Sequence, residues 1–172
     1  MAIEIIADYH THTQYSDGLA TISENVAAAR KKGLKQIAVT DHGLRHMAAG
    51  MRKKYLPEYR KEVDRLNDYY AGDIEVLMGI ESNIISLDGH IDVTEETRSF
   101  FDIILMGYHI TAWSKNLPSF WHFFAKTYLL KLSERQAMVD KTTNAYIKAV
   151  QNNDIDIVVH PRHVIDLDLI YA

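Results

Sequence analysis

Short apolar runs alternate with stretches of helical periodicity along the whole chain, and this rhythm restricts the fold more than any other feature. Residues 3–9, 36–40, 74–80, 102–107 and 155–159 are brief apolar runs suited to buried strands. Between them, residues 23–32 read as a helix stopped by Gly33 just past two lysines. Residues 56–70 read as a second helix, with Pro57 at its start and Val63 and Leu66 on one side. Residues 84–93 read as a hairpin turning at Asp88-Gly89, and residues 119–152 as mostly helical, in one piece or two. Strand–helix alternation predicts an α/β fold with parallel strands in the middle, because parallel neighbours need a crossover and a helix supplies it.

The 172 residues suffice for one domain with a hydrophobic core, and no linker or repeat divides them, so residues 1–172 are expected to form a single domain. The apolar fraction of 47% and charged fraction of 24% are ordinary for a globular protein. A net charge of −4 argues against a broad grip on extended nucleic acid. With no cysteine, disulfides, thiolate metal sites and cysteine nucleophiles are excluded. No basic start precedes an apolar stretch and no run approaches ~18 apolar residues, so neither a leader nor a membrane partner is expected, and a cytoplasmic location is.

The chemistry is concentrated at the strand ends. His10 and His12 come after the first strand, Asp41 and His42 after the second, Glu81 after the third, His109 after the fourth and His160 after the fifth. In a parallel sheet or barrel these C-terminal ends share one rim, where active sites assemble. His10 and His12 point to one face of an extended segment because side chains alternate. Asp17, in the polar turn Ser16-Asp17-Gly18, can fold back to the same rim. Imidazole and carboxylate donors suit zinc, manganese or iron, and a carboxylate such as Glu81 can bridge two ions. Asp41 is expected to orient a neighbouring imidazole by accepting its ring N–H. Each piece alone has a plainer reading: a His-x-His pair as surface decoration, Asp-His-Gly as a turn, Glu81 as the partner of a lysine. Five strand ends together outweigh those readings. Among the other histidines, His122 sits in the aromatic run Phe120-Trp121-His122-Phe123-Phe124 and reads as packing; His46, one helical turn beyond His42, could face the site, with a solvated surface role the plainer reading; His90 and His163 have no assigned role. Trp113, Trp121 and Tyr128 extend that aromatic density, and residues 111–118, which start at the rim, are expected to wall a pocket.

These motifs resemble the PHP superfamily, named for polymerase and histidinol phosphatase domains. The resemblance rests on Asp8-Tyr9-His10-Thr11-His12-Thr13 with Ser16-Asp17-Gly18, on Ala38-Val39-Thr40-Asp41-His42-Gly43, on Gly79-Ile80-Glu81, on Gly107-Tyr108-His109 and on Val159-His160-Pro161. It implies a distorted (β/α)7 barrel with a trinuclear metal site at the strand C-termini. His10, His12 and Glu81 would hold one ion, Glu81, His109 and His160 a second, and Asp17 with His42 a third. The family closes its site with an Asp-x-His pair on a last strand. Asp166 and Asp168 follow His160 too closely to supply it. At ~30 residues per β/α unit, the length gives the first five or six units. The expectation is therefore a domain incomplete at its C-terminus, with the first and third ions each one ligand short; the alternative is a short protein completed by a second chain.

The resemblance further implies a metal-dependent phosphoesterase that attacks a phosphate ester with a metal-activated hydroxide at a di- or trinuclear site, with Glu81 at its centre. Arg162, directly after His160-Pro161, is the first candidate for a phosphate clamp, with a surface arginine as the plainer reading; Lys115 and Arg45 are weaker candidates. Expected substrates are phosphorylated small molecules or short nucleotides, and exposed apolar edges predict self-association. An amide-cleaving metal hydrolase would want a lysine at a strand end, and none is there. The remaining alternative is a non-catalytic, metal-stabilised PHP module with a structural or regulatory role.

Overall fold

A computed structural model describes residues 4–125 and 135–161 of the chain. Five strands, β1 (Ala7–Thr11), β2 (Gln36–Val39), β3 (Glu75–Asn83), β4 (Ile103–Gly107) and β5 (Ile157–Val158), pair in sequence order, and every pairing is parallel. They curl into half of a barrel with helices on the outer face. The expected α/β architecture is thus present, with five strands and helical connections between them.

Helix α1 (Ile22–Lys31) begins where Thr21 accepts from the Glu24 backbone N–H and the Glu24 carboxylate accepts from the Thr21 N–H, and it ends at Gly33, whose φ of 82° few side chains tolerate. Helix α2 (Leu56–Tyr69) turns Leu56, Tyr59, Val63 and Leu66 inward at helical spacing, with Pro57 in its first turn. Short helices α3 (Glu95–Arg98) and α4 (Leu117–Phe120) follow, and α4 runs into a single π-turn over Trp121–Ala125. Helix α5 (Arg135–Asn152) completes the described helices; residues between the π-turn and α5 lie outside the described part of the 119–152 stretch. Among the described residues no helix is long and apolar enough to cross a membrane.

Alternation along the strands divides the core in two. Val76, Met78 and Ile80 of β3 and Ile104 and Met106 of β4 face the helices and pack with Val26, Tyr59, Val63, Tyr146 and Ala149. The intervening residues face the concave side, where Ala38, Ile103, Leu105 and Val159 form a second, smaller cluster. Glu81 continues the concave row of β3, one layer nearer the C-terminal rim.

Two of the boundaries that differ from the sequence reading bear on the site. Strand β3 runs through Asn83, so Glu81 lies inside it; polar Glu81, Ser82 and Asn83 pair with Leu105, Met106 and Gly107 of β4, and the ladder sustains a strand that apolar content alone would end. Strand β1 starts at Ala7 because residues 4–6 run along the surface, with Ile5 74% exposed. The expected hairpin over 84–93 is reduced to one antiparallel bridge, Ile84 to Ile91, with Gly89 at a φ of 80° in its turn.

Candidate metal centre

Each strand delivers at least one donor to the rim. His10 sits in β1 and His12 just past it; His42 follows β2, Glu81 lies in β3, His109 follows β4 and His160 follows β5. Their side chains converge on one carboxylate. Glu81 is fully buried, and its Oε1 lies 3.4 Å from His10 Nε2, 3.3 Å from His109 Nε2, and against His160 Nε2. Its Oε2 lies 3.2 Å from His12 Nε2 and 2.9 Å from His42 Nδ1. Asp17 reaches back as expected, with Oδ1 2.7 Å from His12 Nδ1 and Oδ2 3.3 Å from His42 Nε2. Among the described residues no lysine or arginine pairs with Glu81, which removes the plainest alternative for a buried acid.

Backbone geometry makes room for this crowding. A Cβ on Gly107 would lie 3.0 Å from the His109 and His160 Cε1 atoms and 3.2 Å from Glu81 Oε1. A Cβ on Gly18 would lie 2.4 Å from the His12 carbonyl oxygen, so the turn that returns Asp17 to the rim closes only with glycine. The β1–β2 register shifts between Asp8 and Thr11, the stretch that carries His10. His160 itself adopts a φ of 31°, which is uncommon for a side-chain-bearing residue.

The donor atoms fall into two clusters that share Glu81, His10–Glu81–His160 and His12–His42–Glu81, each with its ligand atoms within 4.8 Å of one another. Each cluster uses a different Glu81 oxygen. This grouping departs from the one implied by the resemblance, since His10 sides with His160 and not with His12, although the two Nε2 atoms remain 3.3 Å apart. Glu81 Oε2 and His42 Nδ1, both buried, have no hydrogen-bond partner among the described residues. Buried polar atoms are rarely left so, and a cation between them would satisfy both. Without one, burial alone would raise the Glu81 pKa, but the surrounding imidazoles hold it well below the usual carboxylate range. Burial likewise pushes His12 down, yet the negative charge of the Glu81 and Asp17 carboxylates beside it prevails and raises it to about 9.

Two expectations about neighbouring residues are corrected. Asp41 does not orient an imidazole. Fully buried, it accepts from the Thr13 backbone N–H at 2.7 Å, from the Thr13 hydroxyl at 2.6 Å, from the Tyr59 hydroxyl at 2.6 Å and from Ser16, so it braces the loop that carries His12 and Asp17. His46 is not a solvated histidine. Its ring stacks on His42 at 4.5 Å and lies 5.4 Å from His109; Nδ1 accepts from the Ala49 N–H and Nε2 meets the Thr111 hydroxyl at 2.7 Å. Burial, followed by the charges of His42 and His109, lowers its pKa to about 4. It backs the donors without facing Glu81. Its spacing from His42 was the only signal in the sequence, and the paired loop that holds it was not legible there.

Residues 111–113 do lie beside the site: Ala112 bridges to His46, and the Trp113 N–H donates to the Arg45 carbonyl. The Lys115 backbone N–H donates to the Ile85 carbonyl, and the Arg45 guanidinium lies 3.4 Å from the Ser114 carbonyl. His122 is buried and bonds the Thr142 hydroxyl at 2.9 Å, in keeping with packing; His90 bonds Ser86 away from the rim. Arg162, His163, Asp166, Asp168 and Tyr128 lie outside the described residues.

A family model for the PHP domain matches residues 8–150. A protein named probable phosphatase from Caldanaerobacter subterraneus is 29% identical over 162 residues, 94% of this chain and 54% of the relative. The DNA polymerase/3'-5' exonuclease PolX of Bacillus subtilis is 33% identical over 107 residues, 62% of this chain and 18% of that protein. The crystal structure of histidinol phosphate phosphatase from Lactococcus lactis, complexed with zinc, L-histidinol and phosphate, superimposes with a TM-score of 0.57 at 22% identity, covering 90% of this chain and 57% of that one. The chain thus spans about half the length of the phosphatase relatives it matches.

Proposed function

The chain belongs to the PHP domain family, and from that premise we propose that it serves a metal-dependent phosphoesterase, with divalent ions held around Glu81. One observation carries this reading: a fully buried carboxylate, unpaired with any lysine or arginine among the described residues, has five imidazoles pointed at its two oxygens. A donor set of nitrogen and carboxylate oxygen suits zinc, manganese or iron.

His10, His109 and His160 would hold an ion on the Oε1 side of Glu81, and His12 and His42 one on the Oε2 side. Asp17, reaching both His12 and His42, would either steady that second ion or help hold a third. Ions bound there supply Lewis acidity toward a phosphoryl oxygen and lower the pKa of a coordinated water. Glu81 places negative charge between the two positions, and its burial keeps solvent from screening that charge. Asp41 fixes the loop of His12 and Asp17; His46 and residues 111–113 close one side of the rim. Arg162 is our candidate for pairing with phosphate oxygens. The phosphatase relatives, and a fold neighbour complexed with L-histidinol and phosphate, support a phosphorylated small molecule as substrate.

The test is elemental analysis of protein purified without chelator, paired with a model phosphoester assay on metal-loaded protein. Zinc, manganese or iron should be present; His10→Ala should lose metal, whereas His122→Ala should lose stability, about 3 kcal/mol for a buried ring, and keep its metal. A chain that takes up none of these ions would sink the proposal. Metal uptake without hydrolysis would favour the structural-module reading.

A further inference from the structure

Behind the rim, Asp92 and Asn83 form a buried pair that none of the motifs names. Asp92 is 3% exposed and accepts from the Ser82 hydroxyl at 2.8 Å, the Asn83 backbone N–H at 2.9 Å, the Asn83 side-chain amide at 2.5 Å and the Arg45 backbone N–H at 2.9 Å. A carboxylate surrounded by four donors acts only as an acceptor, so the NH2 end of the Asn83 amide must face it. That choice leaves Asn83 Oδ1 on the other side, 2.7 Å from His109 Nδ1. A carbonyl oxygen cannot donate, so His109 must donate from Nδ1. In the neutral ring that is the only N–H, so Nε2 keeps a lone pair directed toward Glu81 Oε1, 3.3 Å away. Two acceptors facing one another in this way are reconciled by a cation between them.

The packing confirms that the pair is built in. A Cβ on Gly43 would lie 2.5 Å from Asp92 Oδ2 and 2.6 Å from Asn83 Nδ2, so the glycine after His42 is the space the pair occupies. Through the Arg45 N–H, Asp92 also ties down the loop that carries His42. One carboxylate therefore sets the orientation of donors from two strands.

We propose that Asn83, held by Asp92, is a positioning residue that fixes His109 in its Nδ1–H tautomer and so presents Nε2 to the metal centre. The metal half of this inference rests on the function proposed above; the tautomer half does not. Outer hydrogen bonds of this kind change metal affinity by about 10- to 100-fold when removed.

Long-range imidazole 1H–15N correlation spectra of the 15N-labelled chain read the tautomer directly, and zinc titration reads the affinity. The wild-type chain at a pH where the ring is neutral should show His109 protonated at Nδ1 and bare at Nε2. Asn83→Ala should lose that preference and bind zinc about 10- to 100-fold more weakly. A wild-type His109 protonated at Nε2 overturns the inference, and needs no variant to fold. So does a folded Asn83→Ala chain with unchanged tautomer and zinc affinity. Absence of zinc binding by the wild-type chain would instead overturn the metal-centre reading, and the metal-free spectrum would still decide the role of Asn83.

Discussion

Among the described residues two carboxylates are buried to 0% exposure, and their partners give them opposite tasks. Asp41 is saturated by neutral donors, two hydroxyls and a backbone N–H within 2.7 Å and a further hydroxyl from Ser16. Nothing is left for it to bind, and its work is to brace. Glu81 faces imidazoles only, with Oε2 lacking any hydrogen bond among the described residues. That contrast makes a testable distinction. Tyr59→Phe removes one bond to a charged acceptor and should cost about 1.5–3 kcal/mol in denaturant unfolding, with metal content unchanged. A parallel loss of zinc would mean that the Asp41 network reaches the centre more directly than the geometry indicates. From the sequence, Asp41 and Glu81 look alike, each an acid at the end of an apolar run. Which one is satisfied depends on residues brought in by α2 and the Thr13–Ser16 turn.

At the level of elements, the β/α rhythm was legible because periodicity is local, and α1 carries its own stop and start signals in Thr21, Glu24 and Gly33. The end of β3 was not legible, because residues 81–83 are polar and only pairing with β4 makes them strand. That extension matters to function: it places Asn83 opposite Gly107, with Glu81 two residues before it on the same face. Gly107→Ala adds one carbon that meets His109, His160 and Glu81 at 3.0–3.2 Å. The strand conformation accepts alanine, so thermal stability in chelator should change little, while zinc affinity measured by competition should fall roughly tenfold as the donors are displaced. Equal affinity for both proteins would show that the rings can yield without cost.

For the molecule as a whole, ions at the rim would staple five strands whose donors are separated by up to 150 residues, from His10 to His160. Zinc at about 100 times its dissociation constant should stabilise the folded chain by ~2.7 kcal/mol. In a domain of this size that corresponds to a rise in Tm of roughly 5–10 °C, reversed by chelator and measurable by scanning calorimetry. A Tm indifferent to both additions would argue against ions that bridge strands. The described sheet also presents β1 with a neighbour on one side only, next to Ile5 and Ile6 at 74% and 55% exposure. Unpaired strand edges beside apolar side chains promote association. Sedimentation velocity across a concentration series should therefore show self-association, and a monomer at every concentration would refute it.

Local pattern was enough to indicate the α/β class and which candidate donors follow each strand, because periods of 2 and 3.6 and the residue after each strand are properties of short stretches of chain. It could not establish which acid is satisfied, which histidines share an oxygen of Glu81, or that His46 and Asn83 stand behind the donors. Those depend on partners 18 to 79 positions away, from Tyr59 for Asp41 to His160 for Glu81, with Asn83 for His109 and Thr111 for His46 between, and on the space left at Gly43 and Gly107. A hydrogen bond is decided by where two groups meet, and only the curled sheet, packed against α2 and crossed by its loops, brings these groups within reach.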